Sequence, residues 1–500
     1  MTASGTDTIG LSLLRTMTTN LDGTGVRVAQ VEGGAPAWEF NPDQSGLPTN
    51  VFSNHFAWFS NGKKTNLFPN SLGSESSHGD LVADIFFSEI YGGVSTNVAH
   101  VDNFEASFFS QFMLPSLSPI TDSVVNLSFT IDGINRAQQL GFDSSYDTYA
   151  AQFNTLFLSA SGDGGTVATP ATCYNGIGVG AYGGSTGLGP TPDNGRAKPD
   201  ITAPGGASSW STPLVSGSAA LLLQAGRRGD GGSDTNSATD LRTLKALLLN
   251  GAIKPADWSN APPSPLDPRY GSGVLNVFNS WSQLAGGKHA FIASNAVALG
   301  AAHPPESSTG NVSALSGWDF NGITSGSNND AINHYYFSLA GTVGGPPFTA
   351  TATLVWNRQA HQTNLNQLDL FLFRADTGVM IAGSASAVDN VQHLFSPALP
   401  AGRYDLQVLK HGGSVVTSNE TYALAFEFFS EPLNFFASNG AVTFAWPAYP
   451  DGFRLESSPS LNSAASWNSA GLPTASLTNG QNVVTVKPPL ALQYYRLVRP

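Results

Sequence analysis

Hydrophobic and polar positions change their rhythm twice along the 500 residues. In the first part, short β-branched runs alternate with stretches whose apolar residues recur at helical spacing. Residues 25–32, Val124–Phe129 and Gly176–Tyr182 are predicted as strands, and Leu156–Gly165 as a strand running into a loop. The segment Ser77–Phe87 has its apolar residues at 81, 82, 85 and 86, one face of a helix, and further helices are predicted over Tyr146–Asn154, from about Ser209 onward, and over Leu241–Leu249. Strands that alternate with helices in this way predict a parallel sheet covered on both faces, a doubly wound α/β unit spanning residues 1–287. Two polar stretches, Asn61–Ser77 and Arg227–Ala238, are read as turn-rich connections.

Beyond residue 290 the runs shorten and alternate. Thr349–Trp356, Leu368–Arg374 and Tyr404–Leu409 carry the pattern of a β-sandwich, assigned to residues 288–430. A last group of short strands, including Ala441–Trp446, Gly452–Glu456 and Tyr494–Val498, predicts a small separate β-domain over residues 431–500. Nothing repeats at a fixed period, and no segment is low in complexity.

Composition narrows the partners. Hydrophobic residues at 41% suffice for real cores, while charged residues at 11% fall far below the roughly 25% of ordinary globular proteins. With 54 glycines and 31 prolines, this describes a polar, uncharged, loop-rich surface of the kind found on exported proteins. A net charge of -13 without a basic stripe argues against nucleic acid or anionic lipid. No run of about 18 apolar residues offers a membrane span. The N-terminus lacks the basic and apolar regions of a signal peptide, so the chain is expected to be a secreted monomer from which signal and any propeptide are absent. The single cysteine, Cys173, forms no internal disulfide and is read as a small buried hydrophobe.

Candidate chemistry centres on Ala203–Gly217, where a glycine-rich loop runs into an apolar, small-residue helix. A serine at such a junction sits beside unpaired helix N–H groups, half of what an oxyanion needs, although the junction taken alone favours Ser208 or Ser209 as a simple N-cap. Nucleophilic catalysis by serine requires a base, an acid that orients the base, and oxyanion donors. Glu32 at a strand end, His78 at a helix start and the loop Gly162-Asp163-Gly164 supply one candidate for each. Spacing alone does not select them among nine histidines.

Six segments in order do. Val28-Ala-Gln-Val-Glu32, Ser77-His-Gly-Asp-Leu-Val-Ala83, Val125-Asn-Leu-Ser128, Ser161-Gly-Asp-Gly164, Lys198-Pro-Asp-Ile-Thr-Ala-Pro204 and Ser209-Trp-Ser-Thr-Pro213 resemble the motifs of the subtilisin-like serine peptidases. The resemblance covers roughly residues 20–287. It implies cleavage of peptide bonds in a protein or peptide substrate through an acyl-enzyme on Ser209, with His78 as base, Glu32 as orienting acid and no required cofactor. It also implies a pocket for the residue before the cleaved bond, lined by Ser128, Phe129 and Thr130 on one side and by Ala160, Ser161 and Gly162 on the other. Thr130, where the family often has glycine, is expected to narrow that pocket against aromatic side chains.

Two departures stand out. Glu32 replaces the family's Asp and is one methylene longer. Asp163 replaces the oxyanion Asn, and Ser-Gly-Asp-Gly resembles the motif of the related sedolisins, in which a protonated Asp donates. Such a donor must be protonated while His78 is not, a window that burial of Asp163 would open, so a narrow or mildly acidic pH optimum is expected. Two other functions stay open: a catalytically weakened homologue that binds peptides or polymers, and an ester or polyester hydrolase using the same serine.

Remaining motifs add little. Gly178–Gly183 satisfies a dinucleotide-type glycine pattern, but a loop follows it instead of a helix. His100, His334 and His393 are scattered singly and offer no transition-metal site, and are read as satisfied histidines. Asn328-Asn329-Asp330 and Asp369 with Asp389-Asn390 supply the oxygen atoms that structural calcium takes, and turn formation explains them equally well. Residues 350–428 resemble the β-sandwich that follows some subtilisin-like domains.

Overall fold

The computed structural model describes residues 8–33, 39–41, 56–60, 63–65, 74–341, 347–413, 416–430, 433–438, 440–447, 452–460, 467–478, 481–487 and 493–498. Most of the polar stretch expected over Asn61–Ser77 lies outside the described residues. The first unit carries strands β1 (Arg27–Glu32), β2 (Glu39–Asn41), β3 (Phe56–Ser60), β4 (Lys63–Thr65), β5 (Ser74–Glu75), β6 (His100–Glu105), β7 (Val124–Leu127), β8 (Leu156–Ala160), β9 (Ile177–Tyr182) and β10 (Ile201–Pro204). Its main helices are α1 (Leu11–Met17), α2 (Ser77–Phe86), α3 (Arg136–Phe153), α4 (Ser208–Arg228), α5 (Leu241–Asn250) and α6 (Val277–Ala285).

Eight strands form one sheet in the order β10-β9-β8-β7-β1-β6-β3-β4, parallel throughout except for the β3–β4 pair. Because β1 lies between β7 and β6, the chain winds outward from it in both directions. A crevice opens at the carboxyl ends of β1, β7 and β8, where such sheets bind ligands. The expected doubly wound α/β unit is therefore present.

Two elements exceed their sequence signals. Strand β6 has the polar sequence His-Val-Asp-Asn-Phe-Glu yet is buried along its length; His100 Nε2 meets Asp102 at 2.9 Å, and Glu105 accepts from the N–H groups of Ser107 and Phe108. Helix α3 begins ten residues before the expected Tyr146, because Asn135 and Gln138 form a capping box that pins its first turn.

Strands from Ala293 to Phe429 make a sandwich. Its outer sheet runs in the order Ala293–Ala298, Asn329–Leu339, Gly402–Lys410, Leu368–Arg374, Met380–Ser384. The inner sheet runs Ser316–Thr324, Asn419–Phe429, Phe348–Trp356, Val391–Leu399. The inner sheet also packs on the first unit: Trp318, Val355, Val391, Ala423 and Ala425 belong to the same apolar cluster as the residues of α4, α5 and α6. Polar ties cross the same seam. Thr351 and Thr353 both donate to Asn250 Oδ1 at 3.0 Å, Arg358 pairs with Asp147 at 2.6 Å, and Asp389 Oδ1 accepts from Ala197 N at 2.8 Å. The last strands, Asn434–Ser438, Ala441–Pro447, Ser476–Thr478 and Gln481–Val486, form a four-stranded sheet around Phe444, Trp446 and Val484.

Candidate active site

Helix α4 is buried along most of its length, as its small, apolar sequence requires. Its start is unusual. The N-cap is Ala207, which offers no side-chain oxygen, so neither serine caps the helix. The cap comes instead from the loop after β8: Asp163 Oδ1 accepts from both the backbone N–H and the hydroxyl of Ser208, each at 2.8 Å. Ser208 Oγ in turn accepts from Gly162 N at 3.2 Å. Neither of the preceding glycines, Gly205 and Gly206, takes a positive φ. Gly205 is needed for close approach, since a Cβ there would stand 2.5 Å from Ser211 Oγ.

Ser209 lies in the first turn. Pro213, four residues on, has no N–H, so the Ser209 carbonyl loses its helical partner. Ser128 at the end of β7 replaces it, with its Oγ donating to Ser209 O at 2.9 Å. Ser128 Oγ is itself fixed by Asn126 Nδ2, and Asn126 Oδ1 by Ser216 Oγ on the next turns of α4. The Ser209 N–H has no hydrogen-bond partner among the described residues.

Glu32 ends β1 and is only 1% exposed. Its Oε2 meets His78 Nδ1 at 2.9 Å, so the extra methylene is accommodated. His78 is placed by the start of α2, where the Ser76 hydroxyl accepts from Gly79 N, and Gln30 Nε2 bonds to Gly79 O at 3.0 Å. Burial pushes the Glu32 carboxyl above its ordinary value, and the bond to His78 opposes this. The same bond raises His78, burial opposes it, and the charges of Glu32 and Asp163 add to the rise.

His78, Asp163 and Ser209 share one open cleft of about 850 Å³. Of the residues assigned to substrate, Ser128, Phe129, Thr130, Ala160 and Gly162 line it. Ser161 does not: it is buried behind the wall and its hydroxyl pairs with Thr186 at 3.0 Å. Gly162 takes φ +97, and a Cβ there would meet the Thr130 methyl at 3.6 Å, which puts that methyl beside Gly162 in the cleft. Phe129 packs partly on the core and covers Gly33.

Other expectations are corrected. Asp163 is exposed, so the burial invoked to keep it protonated is lacking. No hydrogen bond joins His78 to Ser209 among the described residues. Two lining residues, Asp132 and Trp210, carry signals in their neighbours alone, one two positions beyond Thr130 and the other next to Ser209.

Elsewhere, Asp330 accepts from the N–H groups of Gly300 and Gly412, Asp369 from His411, and Asp389 from Ala197 and Ser386. Among the described residues no group of three or more His, Cys, Asp or Glu is arranged to hold a metal ion. His100, His334 and His393 pair with Asp102, Asp405 and Thr353. Cys173 is buried and unbridged, its thiol pushed up to about 12 by burial. No described helix is long and apolar enough to cross a membrane.

The eight-stranded sheet and the buried helix α4 define a doubly wound α/β domain. Residues 50–273 match the model of the subtilase family, a stretch that includes His78, Asp163 and Ser209 and stops short of Glu32. These residues therefore form a subtilase-family domain, that of a serine peptidase. Solved structures similar to it include the prenylagaramide maturation protease PagA (20% identity, 56% of this chain and 99% of that one, TM-score 0.38). The CspB protease of Clostridium perfringens is also similar (15% identity, 56% and 99%, TM-score 0.43), as is the PatG macrocyclase in complex with peptide (15%, 56% and 96%, TM-score 0.39). No curated protein matches the chain.

Proposed function

We propose that this chain is a secreted serine endopeptidase that hydrolyses peptide bonds through an acyl-enzyme on Ser209. The 2.9 Å bond from His78 Nδ1 to Glu32, in the cleft that also holds Ser209, carries this reading. With the Nδ1 proton committed to Glu32, His78 Nε2 is left as the base that takes the Ser209 proton and returns it to the leaving amine. The unpartnered Ser209 N–H and the start of α4 stabilise the oxyanion.

Asp163 contributes in a restricted way. Since Oδ1 accepts twice from Ser208, any donated proton must reside on Oδ2. An ionised Asp163 has nothing to donate, which favours modest turnover and gives the weakened, peptide-binding homologue its support. His78, raised by Glu32, is a free base only at higher pH, so the optimum belongs on the neutral to alkaline side, in place of the narrow or mildly acidic optimum expected from the sedolisin-like motif.

The deciding experiment is covalent labelling with a serine-directed phosphonate, with Ser209→Ala as control, alongside casein cleavage. Labelling lost in the control together with cleavage supports the endopeptidase; labelling with ester turnover alone supports the esterase. No labelling at any pH overturns both in favour of the binding protein.

A further inference from the structure

Two carboxylates line the cleft, and they are not equivalent. Asp163 is turned toward the positive start of α4 and takes both Ser208 donors on one oxygen. Among the described residues Asp132 has only the Thr130 hydroxyl, whose Oγ1 donates to Oδ2 at 3.2 Å. No Lys or Arg stands among the described residues of the cleft lining, and His78 is its one other ionisable group. The Asp132 charge is therefore uncompensated, at the exposed end of the segment that supplies Ser128, Phe129 and Thr130.

The shape of the adjoining wall points the same way. The Thr130 methyl covers Gly162, and Ala160, Gly162 and Ala168 present only small surfaces. These small surfaces, Thr130 and Asp132 line the same cleft, so a slender side chain laid on the apolar wall has a carboxylate within the same space. Arginine and lysine have that form, an aliphatic stem with a charged head.

We propose that Asp132 is a specificity residue and that the cleft selects substrates with an arginine or lysine before the cleaved bond. This rests on the endopeptidase reading above. The Asp132 carboxylate receives the cationic head, the Thr130 hydroxyl holds that carboxylate in place, and the pair excludes acidic side chains by repulsion. Because the group is exposed, the selection is modest and weakens with salt.

The test uses the full chain and three peptide substrates identical except for arginine, citrulline or phenylalanine before the cleaved bond. Citrulline keeps the shape of arginine without its charge. The arginine-to-citrulline ratio of kcat/KM is expected to be about tenfold or more at low salt, to fall as salt rises, and to collapse toward one in Asp132→Asn. Phenylalanine should be the poorest of the three. A ratio near one in the unsubstituted protein, or one that Asp132→Asn leaves intact, overturns the specificity while leaving the peptidase standing. If no peptide is cleaved at any pH while the folded protein is present, the endopeptidase reading falls and the specificity falls with it.

Discussion

Ser128 donates to the carbonyl of Ser209, a bond that exists because Pro213 cannot. The proline deprives one turn of α4 of its usual hydrogen bond, and the freed carbonyl becomes the point at which β7 grips the residue proposed as nucleophile. The chain Ser216, Asn126, Ser128, Ser209 thus ties the helix start to the sheet through side chains already buried in the core.

Ser128→Ala should leave that carbonyl without a donor. Stability is expected to fall by about 1–3 kcal/mol, with a larger loss in kcat than in KM as Ser209 shifts relative to His78. Denaturant unfolding and steady-state kinetics measure the two effects. An unchanged kcat would mean that the bond does not position Ser209.

The pH profile follows from the Glu32–His78 pair. His78 is raised above the ordinary 6.5 chiefly by its bond to Glu32, and only the neutral imidazole can accept the Ser209 proton. Activity should therefore fall with acid through a limb lying above 6.5 in kcat/KM. Glu32→Gln removes the charge that raises His78, so the limb should move to lower pH while kcat drops by about 10³–10⁴. A limb at or below the ordinary histidine value in the unsubstituted protein would contradict the pairing.

Asp163→Asn should increase turnover. Its Oδ1 keeps the Ser208 N–H and O–H, which fixes the amide orientation and puts Nδ2 where Oδ2 now stands. A permanent donor then replaces a group that donates only when protonated, and a gain in kcat on the order of 10² is expected above neutral pH. A fall in kcat would show that the carboxylate itself is required.

Ending the chain at residue 287 should prevent folding of the first unit. Its apolar cluster includes Trp318, Val355, Val391, Ala423 and Ala425 from the sandwich, and Asn250 loses the two hydroxyls of Thr351 and Thr353. Calorimetry of the full chain should show these two parts unfolding in one transition. Two separated transitions, or a soluble and cooperative 1–287 fragment, would refute the shared core.

Much of this protein was legible in its residues alone. Period-2 and helical spacing marked β1, β7, β8, β9, α2 and α5, because each presents apolar residues to a core in a pattern that needs no distant partner. The order Glu32, His78, Asp163, Ser209 could be read once family motifs were compared, as could the presence of Thr130 in the cleft lining. Strand β6 could not, since its buried His100 and Asp102 look like loop residues until each is seen to satisfy the other.

Tertiary structure alone decided the rest. Whether a glutamate reaches His78 depends on where β1 ends relative to α2, two elements 46 residues apart in sequence. That Asp163 caps α4 through Ser208, and is not a buried acid, depends on the approach of two loops. The fusion of the sandwich with the first unit's core likewise arises from side chains more than 100 residues apart. Local propensity acts over a few residues and fixes the elements. Burial and charge pairing act through space, and they determine which carboxylate orients the histidine, which one caps the helix, and which one is left facing the cleft.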